Sequence, residues 1–367
     1  MKWLALEHAI ARIASQGLAQ TRLEAHSEAS RAAYCDRSWW QGIPNLCSRP
    51  DFAILDEKRY TTKKLGEYLK KQEPSRVILE TSAEAFAVAD LARSTGHEVR
   101  VVPATLARTL GVGARGIKTD RRDAQALSEV SCKVDLRSVH IPSEQARLWR
   151  SICNARDSLV SARTQMVNTV KSQLRSRLVL TGARMSGLLP TKIRVIWTEL
   201  EGCVPPHVER LLVMIEVLNE QLKQANKQIC ELAKAHEVCR RLTTVPGVGA
   251  VTAVRFVATL DEVTRFSTAH DVQSYLGLTP GESSSSTRVR RTRLTKAGSP
   301  QMRFLLVQAA WSALRWAPTH PMAMWAKQVA DRRGKKIAAV ALARKLAGIL
   351  FALWRDGTSY SSSRGTV

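Results

Sequence analysis

Two long runs of apolar residues at helical spacing are the feature that most constrains the fold of this 367-residue chain. The first run follows 142-PSE-144 and consists of Leu148, Ile152, Leu159, Met166, Val170 and Leu174. The second follows the break at 204-VPP-206 and consists of Val208, Leu211, Ile215, Leu218, Leu222, Ala225, Ile229 and Leu232. Such stripes predict amphipathic helices that pair with each other or with a second protomer. We therefore predict a helical coiled-coil spacer over residues 141–240.

The first of these helices also has a basic face. This face carries Arg150, Arg156, Arg163, Lys171, Arg175 and Arg177. A row of cations can bind a nucleic-acid backbone, and it can equally be the solvated outer surface of a coiled coil. The pattern leaves both interpretations open.

The segment before the spacer alternates between strand and helix signals. The runs 52-FAIL-55, 76-RVILE-80 and 98-EVRVVP-103 have the composition of short strands, 56-DEKR-59 is a turn signal, and 83-AEAFAVADLARS-94 has helical spacing. This alternation predicts a mixed α/β domain over residues 52–140. Residues 1–51 form a divergent N-terminal segment, Ala-rich and of helical composition up to Tyr34. The fold class is thus α/β plus α.

The chain after the spacer predicts two further parts. In 242-LTTVPGVGAVTAVRFVATL-260, a Pro-Gly-x-Gly sequence separates two apolar helical runs. It resembles a helix-hairpin-helix element, in which Gly247 and Gly249 let backbone N–H groups approach a phosphate, although an ordinary turn between helices uses the same residues. We predict a small, mainly helical domain over residues 241–330, and a terminal helix and tail over residues 331–367.

The charge of the chain indicates its class of partner. There are 56 Lys and Arg residues against 32 Asp and Glu residues, a net charge of +24 with a pI near 10.3. This excess predicts a polyanion, nucleic acid, as the partner. An anionic membrane would require a basic amphipathic anchor or a membrane span. Neither is visible, because Arg344 and Lys345 interrupt the longest apolar run, 337–354, which predicts a core-packing helix.

Two negative features narrow the class further. The N-terminal apolar run is interrupted by Glu7 and His8, which argues against a signal peptide. The seven cysteines are odd in number and include no C-x-x-C pair, which argues against a disulfide framework and a zinc site. We expect a cytoplasmic protein associated with the nucleoid and no membrane partner.

Three carboxylates are candidates for a metal site. Glu80 ends an apolar strand, and Asp120 and Asp123 in 118-KTDRRDA-124 are spaced to share one face of a helix. Carboxylate oxygens suit Mg²⁺ or Mn²⁺, and two such ions can clamp the attacking and leaving oxygens of a phosphodiester. The adjacent cations would hold the phosphate strand against the acids: Lys118, Arg121 and Arg122. The alternative is a solvated helix end with weak ion pairs.

A second candidate site is a run of hydroxyls beside arginines. Ser283–Ser286 precede a group of cations: Arg288, Arg290, Arg291, Arg293 and Lys296. One serine could attack a phosphorus atom while the guanidiniums neutralise the developing charge. A flexible phosphate-binding loop has the same composition.

These residues together resemble a known family, the insertion-sequence transposases of the IS110 type, also called bridge recombinases. The resemblance runs from about Phe52 to the C-terminus. Its markers occur in order: Glu80, 117-IKTDRRDAQALSE-129, the spacer, 245-VPGVGAVTA-253, 275-YLGLTP-280, 294-LTKAG-298 and 338-AAVALARKLAGIL-350. Each marker is modest alone, and the ordered set is specific.

The resemblance implies a RuvC-like domain of RNase H fold with a DEDD metal centre, joined through a coiled coil to a small serine domain. Glu80, Asp120 and Asp123 take the second, third and fourth acidic positions. The nucleophile lies five residues after the proline of Leu-Thr-Pro, at Ser285. The family has glycine next, where this chain has Ser286, so Ser284 is a rival.

Similar proteins act as oligomers in which the acids of one subunit and the serine of another form a composite centre. The resemblance implies that Mg²⁺ supports DNA cleavage, that the DNA is held as a 5′-phosphoserine, and that a bridge RNA selects donor and target by base pairing. This would account for so many cations with few base-reading motifs.

The N-terminus departs from the family pattern. Members open with an apolar-Gly-apolar-Asp strand that supplies the first acid, and this chain has no such segment. Asp36 in 33-AYCDRSWW-40 is the nearest equivalent, and Asp51 and Asp56 are poorer ones. The alternatives are therefore a decayed, catalytically inactive copy that only binds nucleic acid, or a RuvC-like junction resolvase that needs no serine.

Overall fold

The protein is described by a computed structural model that covers residues 10–13, 33–36, 43–48, 54–109, 124, 127–128, 130–131, 137–179, 189–285 and 288–361. The chain forms two compact units, Met1–Pro142 and Ser143–Val367. The strands of the N-terminal unit are β1 (Ile10–Ile13), β2 (Ala33–Asp36), β3 (Ile43–Ser48), β4 (Ile54–Tyr60), β5 (Arg76–Glu80) and β6 (Glu98–Val102). Its helices are α1 (Thr62–Lys70), α2 (Ala85–Ser94) and α3 (Ala104–Thr109).

One mixed sheet organises the N-terminal unit. β4 pairs antiparallel with β3, β3 antiparallel with β2, β2 parallel with β5, and β5 parallel with β6. β1 joins the same sheet and pairs with both β3 and β5. Ala11 of β1 is in register with Leu46 of β3 and Ile78 of β5, and Cys35 of β2 is in register with the same two residues. The three antiparallel strands β4, β3 and β2, followed by the parallel strands β5 and β6 with helical crossovers, have the order expected of an RNase H-like domain, and β1 is an additional strand of the sheet.

The predicted strands at 76–80 and 98–102 and the helix between them are confirmed, but two expectations for the first 60 residues are wrong. The described residues before Cys35 are in strands rather than a helix, because pairing with β3 and β5 outweighs local propensity. The segment 56-DEKR-59 is not a turn, because β4 continues through it, paired with β3. Charged residues suit an edge strand because they discourage further pairing.

β2 takes the position of the first strand of the domain, although its sequence lacks the apolar-Gly-apolar-Asp pattern. It stands between β3 and β5 and runs parallel to β5. Its sequence, AYCD, is too short to show a period of two. β2 therefore occupies the place in the sheet that the sequence pattern alone left without a strand.

Apolar residues of α1, α2, β5 and β6 form the core of this unit. Leu65 and Leu69 of α1, Val88 of α2, Leu79 of β5 and Val101 of β6 are buried in one cluster. The buried His97 joins these layers: its Nδ1 accepts from the N–H of Ser75 (3.3 Å), and its Nε2 lies 2.9 Å from the carbonyl oxygen of Leu69. These contacts fix where β5 begins, and so where its far end lies.

The C-terminal unit is mainly helical. Its helices are α4 (Glu144–Arg175), α5 (Leu189–Glu201), α6 (Pro206–Ala235), α7 (Glu237–Leu242), α8 (Ala250–Leu260), α9 (Ala269–Tyr275), α10 (Pro300–Trp316), α11 (Pro321–Arg333) and α12 (Lys335–Arg355), with a 3₁₀ turn at Val263–Arg265. Two strands, β7 (Pro280–Ser285) and β8 (Arg288–Leu294), form an antiparallel hairpin.

The two long helices predicted from the apolar stripes are present as α4 and α6, and they pack against each other. The α6 stripe is confirmed at Val208, Ile215, Leu218, Leu222 and Ile229, which are buried. The α4 stripe is correct at its end, where Val170 and Leu174 are buried, and wrong at its start.

Leu148 is 57% exposed, whereas Trp149 and Cys153 are buried in its place. The start of α4 packs into the core of the C-terminal helices. This core contacts the side of α4 that carries Trp149 and Cys153 rather than the side that carries Leu148. α4 and α6 therefore belong to the same compact unit as the C-terminal helices.

The terminal helix α12 is a core element, as the sequence predicts. In the described part of the chain it is the one helix long and apolar enough to span a membrane, and half of its most apolar window is buried in the protein. Its buried residues pack against those of α8 and α10, and include Leu342, Leu346, Leu350 and Phe351.

Candidate active site

Glu80 is a buried carboxylate at the end of a sheet strand. It is 9% exposed and pairs with Val102 of β6 as the last residue of β5. The next N–H, that of Thr81, donates to the Val102 carbonyl (2.9 Å), after which the chain turns into α2, where Ser82 accepts from the N–H of Ala85 (2.9 Å). Val77–Leu79 are buried directly before it. A carboxylate in this position lies at the rim of a dry core.

Asp36 ends the strand next to the one that Glu80 ends. Cys35 is in register with Ile78, and the continuation of this parallel register brings Asp36 level with Leu79, one residue before Glu80. Neighbouring strands lie about 4.8 Å apart, so the backbones of the two acids are close.

Of the two other sequence candidates for the first acid, the structure describes one. Asp56 lies in β4, paired with Cys47 of β3, and two strands separate it from β5. That spacing is roughly 14 Å, too far to share an ion with Glu80. Asp51 lies outside the described residues.

The helix candidates of the acidic site also lie outside the described residues: Lys118, Asp120, Arg121, Arg122 and Asp123. Directly after them, Ala124, Leu127 and Ser128 are helical and buried. Within the described ranges no group of three or more His, Cys, Asp or Glu side chains could hold a metal ion.

The serine candidates lie in the β7–β8 hairpin. Ser283, Ser284 and Ser285 belong to β7, and Ser286 lies outside the described residues. The ladder pairs Ser285 with Arg288, Ser284 with Val289, Ser283 with Arg290, and Glu282 with Arg291. The run of serines and arginines is therefore a two-stranded ribbon, with Ser285 the last residue of β7 before the turn.

Two segments pack tightly against each other at the base of this hairpin, Tyr275–Gly277 and Ala297–Gly298, and we call this contact the clasp. Gly298 has φ +74°, and a Cβ on it would lie 2.0 Å from the carbonyl oxygen of Tyr275; a Cβ on Gly277 would lie 2.1 Å from that of Ala297. Only glycine permits this approach. Thr295 extends the ladder, donating its N–H to the Thr279 carbonyl (3.0 Å).

Arg303 of α10 secures the clasp from inside. Its Nη1 donates to the carbonyl oxygens of Leu276 (3.2 Å), Ala297 (2.6 Å) and Gly298 (3.1 Å). No sequence pattern indicates this role, since a single arginine in a helix is ordinary. Two candidate phosphate contacts, Arg293 and Lys296, are exposed beside the clasp, and Lys296 adopts a left-handed φ of 55°.

The Pro-Gly-x-Gly turn joins α7 to α8, and its two glycines differ. Gly247 has φ +87°, and a Cβ there would lie 2.3 Å from the Ala309 carbonyl oxygen and 2.8 Å from the Ala313 nitrogen, both in α10. Gly247 thus lets the turn pack against α10. Gly249 is the N-cap of α8, and a Cβ on it would meet no atom within 4 Å. Gly249 leaves the α8 N-terminus open to a ligand.

Much of the basic face of α4 is used internally. Arg150 donates to the carbonyl oxygens of Ala258 (2.7 Å) and Thr259 (3.1 Å) at the end of α8, and burial lowers its pKa. Arg156 contacts Asn226 of α6 (2.8 Å). The described start of this face is therefore helix packing rather than a free surface for a polyanion.

Two family profiles match the chain in the order of these sites. A transposase profile of the DEDD IS110 type matches residues 53–178, and the profile described as transposase IS116/IS110/IS902 family matches residues 239–324. The first match contains Glu80, Asp120 and Asp123, and the second contains the PGVG turn and the serine hairpin. The first match begins after Asp36.

Individual relatives agree with the profiles. The transposase for insertion sequence element IS1111A of Coxiella burnetii is 30% identical over 249 residues, covering 66% of this chain and 68% of the relative. The transposase for insertion sequence element IS1328 of Yersinia enterocolitica is 25% identical over 321 residues, covering 86% of this chain and 94% of the relative.

Proposed function

This chain belongs to the IS110 family of insertion-sequence transposases, and from that premise we propose that it cuts and rejoins DNA with two centres, an acidic metal centre in the N-terminal unit and a serine nucleophile in the C-terminal unit. The observation that carries the proposal is that the buried Glu80 ends β5 next to the end of the neighbouring strand β2 at Asp36. The described parts of both centres lie within the matched family regions, except Asp36.

We assign the four acidic positions to Asp36, Glu80, Asp120 and Asp123. Asp120 and Asp123 are three residues apart, the sequence spacing at which residues of a helix share a face, and the first described residue after them, Ala124, is helical. Buried carboxylates at the end of a strand fit a hard divalent ion. Mg²⁺ or Mn²⁺ held there would stabilise the charge that develops on a phosphodiester.

The register imposes one condition on Asp36. Residues along a strand alternate between the two faces of the sheet, and Asp36 is level with Leu79 rather than with Glu80. The carboxylates of Asp36 and Glu80 can therefore converge only if the chain ends its strand pairing at Asp36. Asp36 is the last residue of β2 and meets this condition. Lys118, Arg121 and Arg122 next to the acids would hold the phosphate strand in place.

The hairpin register supports Ser285 over Ser284 as the nucleophile. Residues directly opposite in an antiparallel pair share a face, so Ser285 and Ser283 share one with Arg288 and Arg290. Ser284 shares the other face with Glu282, Val289 and Arg291. Two arginines and no carboxylate suit a phosphate better than a face that includes glutamate.

In the step we propose, the Ser285 Oγ attacks the 5′-phosphate phosphorus and the bond from phosphorus to the 3′-oxygen breaks. The serine proton is released and the 3′-oxygen takes up a proton, leaving a 5′-phosphoserine and a free 3′-hydroxyl. Arg288 and Arg290, on the face of Ser285, would stabilise the pentacoordinate charge, and Arg291, Arg293 and Lys296 would contact neighbouring phosphates. Gly249 and the open α8 N-terminus would contact the flanking phosphate.

We further propose that the protein acts as a homo-oligomer with a guide RNA. α6 carries a solvent-exposed apolar stripe, Val213, Met214 and Val217, on a helix that already packs on α4. An exposed apolar stripe on a long helix suits a second protomer. The charge of +24 and the small number of base-reading motifs in the sequence suit a protein that leaves sequence recognition to RNA.

Two alternatives remain distinct. A catalytically inactive copy that only binds nucleic acid is favoured by the atypical segment before residue 53, where the DEDD profile match begins. A RuvC-like resolvase would cut with the acids alone, and the matched C-terminal region argues against it.

The decisive experiment incubates purified protein with the element's DNA ends, its flanking RNA and Mg²⁺, and looks for a covalent protein–DNA band on denaturing gels. We expect the band with the unsubstituted protein and with Ser284→Ala, and none with Ser285→Ala. A band with Ser285→Ala refutes the serine assignment. Binding without any band identifies an inactive copy, and Mg²⁺-dependent nicking that survives Ser285→Ala identifies a resolvase.

A further inference from the structure

The outer face of α10 is an exposed aromatic surface outside both proposed centres. Phe304 (62% exposed) and Trp311 (38% exposed) lie two turns apart on the side of α10 opposite its buried residues, and Trp316 (79% exposed), the last residue of the helix, lines one groove together with Trp311. Exposing three large aromatic side chains on one helix forgoes several kcal/mol of burial, at about 25 cal/mol per Å². The helix needs only its buried side to fold, so this surface calls for an external partner.

Polar and cationic groups alternate with these aromatic rings. A groove of about 610 Å³ runs beside the helix, lined by Gln308, Trp311, Ser312, Leu314, Arg315 and Trp316. The seventeen residues of α10 include two exposed glutamines and no carboxylate. Rings interleaved with guanidinium, amide and hydroxyl groups are typical of surfaces that stack unpaired bases and contact the backbone between them.

The spacing along the helix suits successive nucleotides. At 1.5 Å per residue, Phe304 and Trp311 are separated by about 10 Å and Trp311 and Trp316 by about 7.5 Å along the axis. Both separations exceed the spacing of about 3.4 Å per nucleotide along a strand of duplex DNA, so a strand that places a base on each ring has to be unstacked. The face begins beside the clasp, because Arg303 of the same helix bonds the clasp carbonyls.

We propose that the outer face of α10 binds an unpaired strand of nucleic acid, with bases stacked on Trp311 and Trp316 and phosphates neutralised by Arg315. Phe304 extends the surface toward the serine hairpin. A duplex keeps its bases inside and offers no ring for stacking, so the face discriminates single strands from duplexes. This inference does not depend on which serine is the nucleophile or on whether this copy is active.

A second copy of the chain is the competing occupant, since tryptophan and arginine are also common in protein interfaces. The absence of any carboxylate on α10 favours the polyanion, because a contact between two copies of this face would bury Arg315 with no acid of α10 to pair it.

The test measures the affinity of the full-length protein for fluorescent 20-nucleotide single-stranded DNA, single-stranded RNA and duplex DNA by anisotropy. The variants are Trp311→Ala/Trp316→Ala, Trp311→Phe/Trp316→Phe, and Met324→Ala, a matched exposed residue of α11. We expect the alanine pair to weaken single-strand binding by tenfold or more and duplex binding by less than twofold, since base stacking on a ring is worth about 1–3 kcal/mol.

The phenylalanine pair should retain most of the affinity, and Met324→Ala should change nothing. The DNA and RNA arms show which single strand binds more tightly. The proposal is overturned if the alanine pair binds single strands normally or loses duplex binding equally. It is also overturned if light scattering shows that the alanine pair lowers the oligomer mass, which would assign the face to a second protomer.

Discussion

Asp36 and Glu80 end neighbouring parallel strands of one sheet, and Asp56 ends no strand near them. This relationship is the basis of our proposal that Asp36 takes the first metal position. We expect Asp36→Asn to weaken Mn²⁺ binding and Mg²⁺-dependent cleavage by about a hundredfold, because a shared ion loses one of its carboxylates.

Asp56→Asn is the matched control, and it should leave both quantities unchanged. Isothermal titration with Mn²⁺ reads the site even if the protein cuts no DNA. Unchanged Mn²⁺ affinity in Asp36→Asn, together with loss in Glu80→Gln, would show that another residue supplies the first ligand.

The PGVG turn yields a prediction about stability. Gly247→Ala would place a Cβ against the α10 backbone in a left-handed conformation, and we expect a loss of about 2–4 kcal/mol in the free energy of unfolding. Gly249→Ala meets open space and should cost less than about 1 kcal/mol. Urea denaturation followed by circular dichroism measures both, and equal losses would contradict the packing role of Gly247.

The elements predictable from sequence are those whose own side chains carry a complete period. β5, β6, α2 and the two long helices each contain enough buried residues to show it. β2 and β3 do not, because they are four and six residues long and hold polar residues, and their conformation comes from pairing with neighbours. The prediction that Leu148 is buried is wrong for a related reason. The start of α4 packs against the core of the C-terminal helices, and the apolar pattern of α4 alone does not show this contact.

The functional residues divide in the same way. Glu80 and the serines could be named because their residue types and positions carry chemistry. Arg303 could not be named, because its three carbonyl partners come from segments brought together only by the clasp. Our preference for Ser285 over Ser284 rests on its spacing from Leu-Thr-Pro and on the register of the hairpin, since four consecutive serines have no period of their own.

The buried thiols predict a pH dependence. Burial raises the pKa of Cys239 to about 12, against about 9 when unfolded, so the folded protein retains a proton that the unfolded chain loses. The stability from this group is complete below pH 9 and declines as pH rises from 9 towards 12, by at most about 1.4 kcal/mol per pH unit. We expect Cys239→Ala to flatten the stability profile above pH 9.

Alkylation offers a second measurement of the same property. Iodoacetamide labelling with peptide mapping at pH 8.5 should modify the exposed Cys203 and Cys230 rapidly and leave the buried Cys153 and Cys239 unmodified in the folded protein. Labelling of Cys239 at the rate of Cys230 would show that the α4–α7 core opens readily.

The exposed stripe of α6 predicts an effect on assembly. Met214→Glu/Val217→Glu places two charges on the stripe without touching the buried side of the helix, and we expect the oligomer to dissociate by light scattering at micromolar concentration. Gln221→Glu/Gln224→Glu, farther along the exposed side of α6, is the control. An unchanged mass in the first variant would exclude this stripe as the protomer interface.

Arg303 provides the sharpest link between packing and chemistry in the C-terminal unit. Its guanidinium satisfies three carbonyl oxygens of the clasp that sets the base of the serine hairpin. Arg303→Met keeps the length of the side chain and removes the donors, at a cost of about 1–3 kcal/mol. We expect faster proteolysis within residues 280–294 and a lower yield of the DNA adduct. Mn²⁺ affinity should not change, because Glu80 lies in the other unit.

Arg332→Met removes an exposed cation of α11 and tests whether lost charge alone explains the effect. Arg303→Lys retains the charge and at most one of the bonds, so its adduct yield should fall between those of the Met variant and the unsubstituted protein. If Arg303→Met forms the adduct normally while its hairpin is cut faster, the order of the hairpin base does not limit the reaction of the serine. The clasp would then serve stability alone.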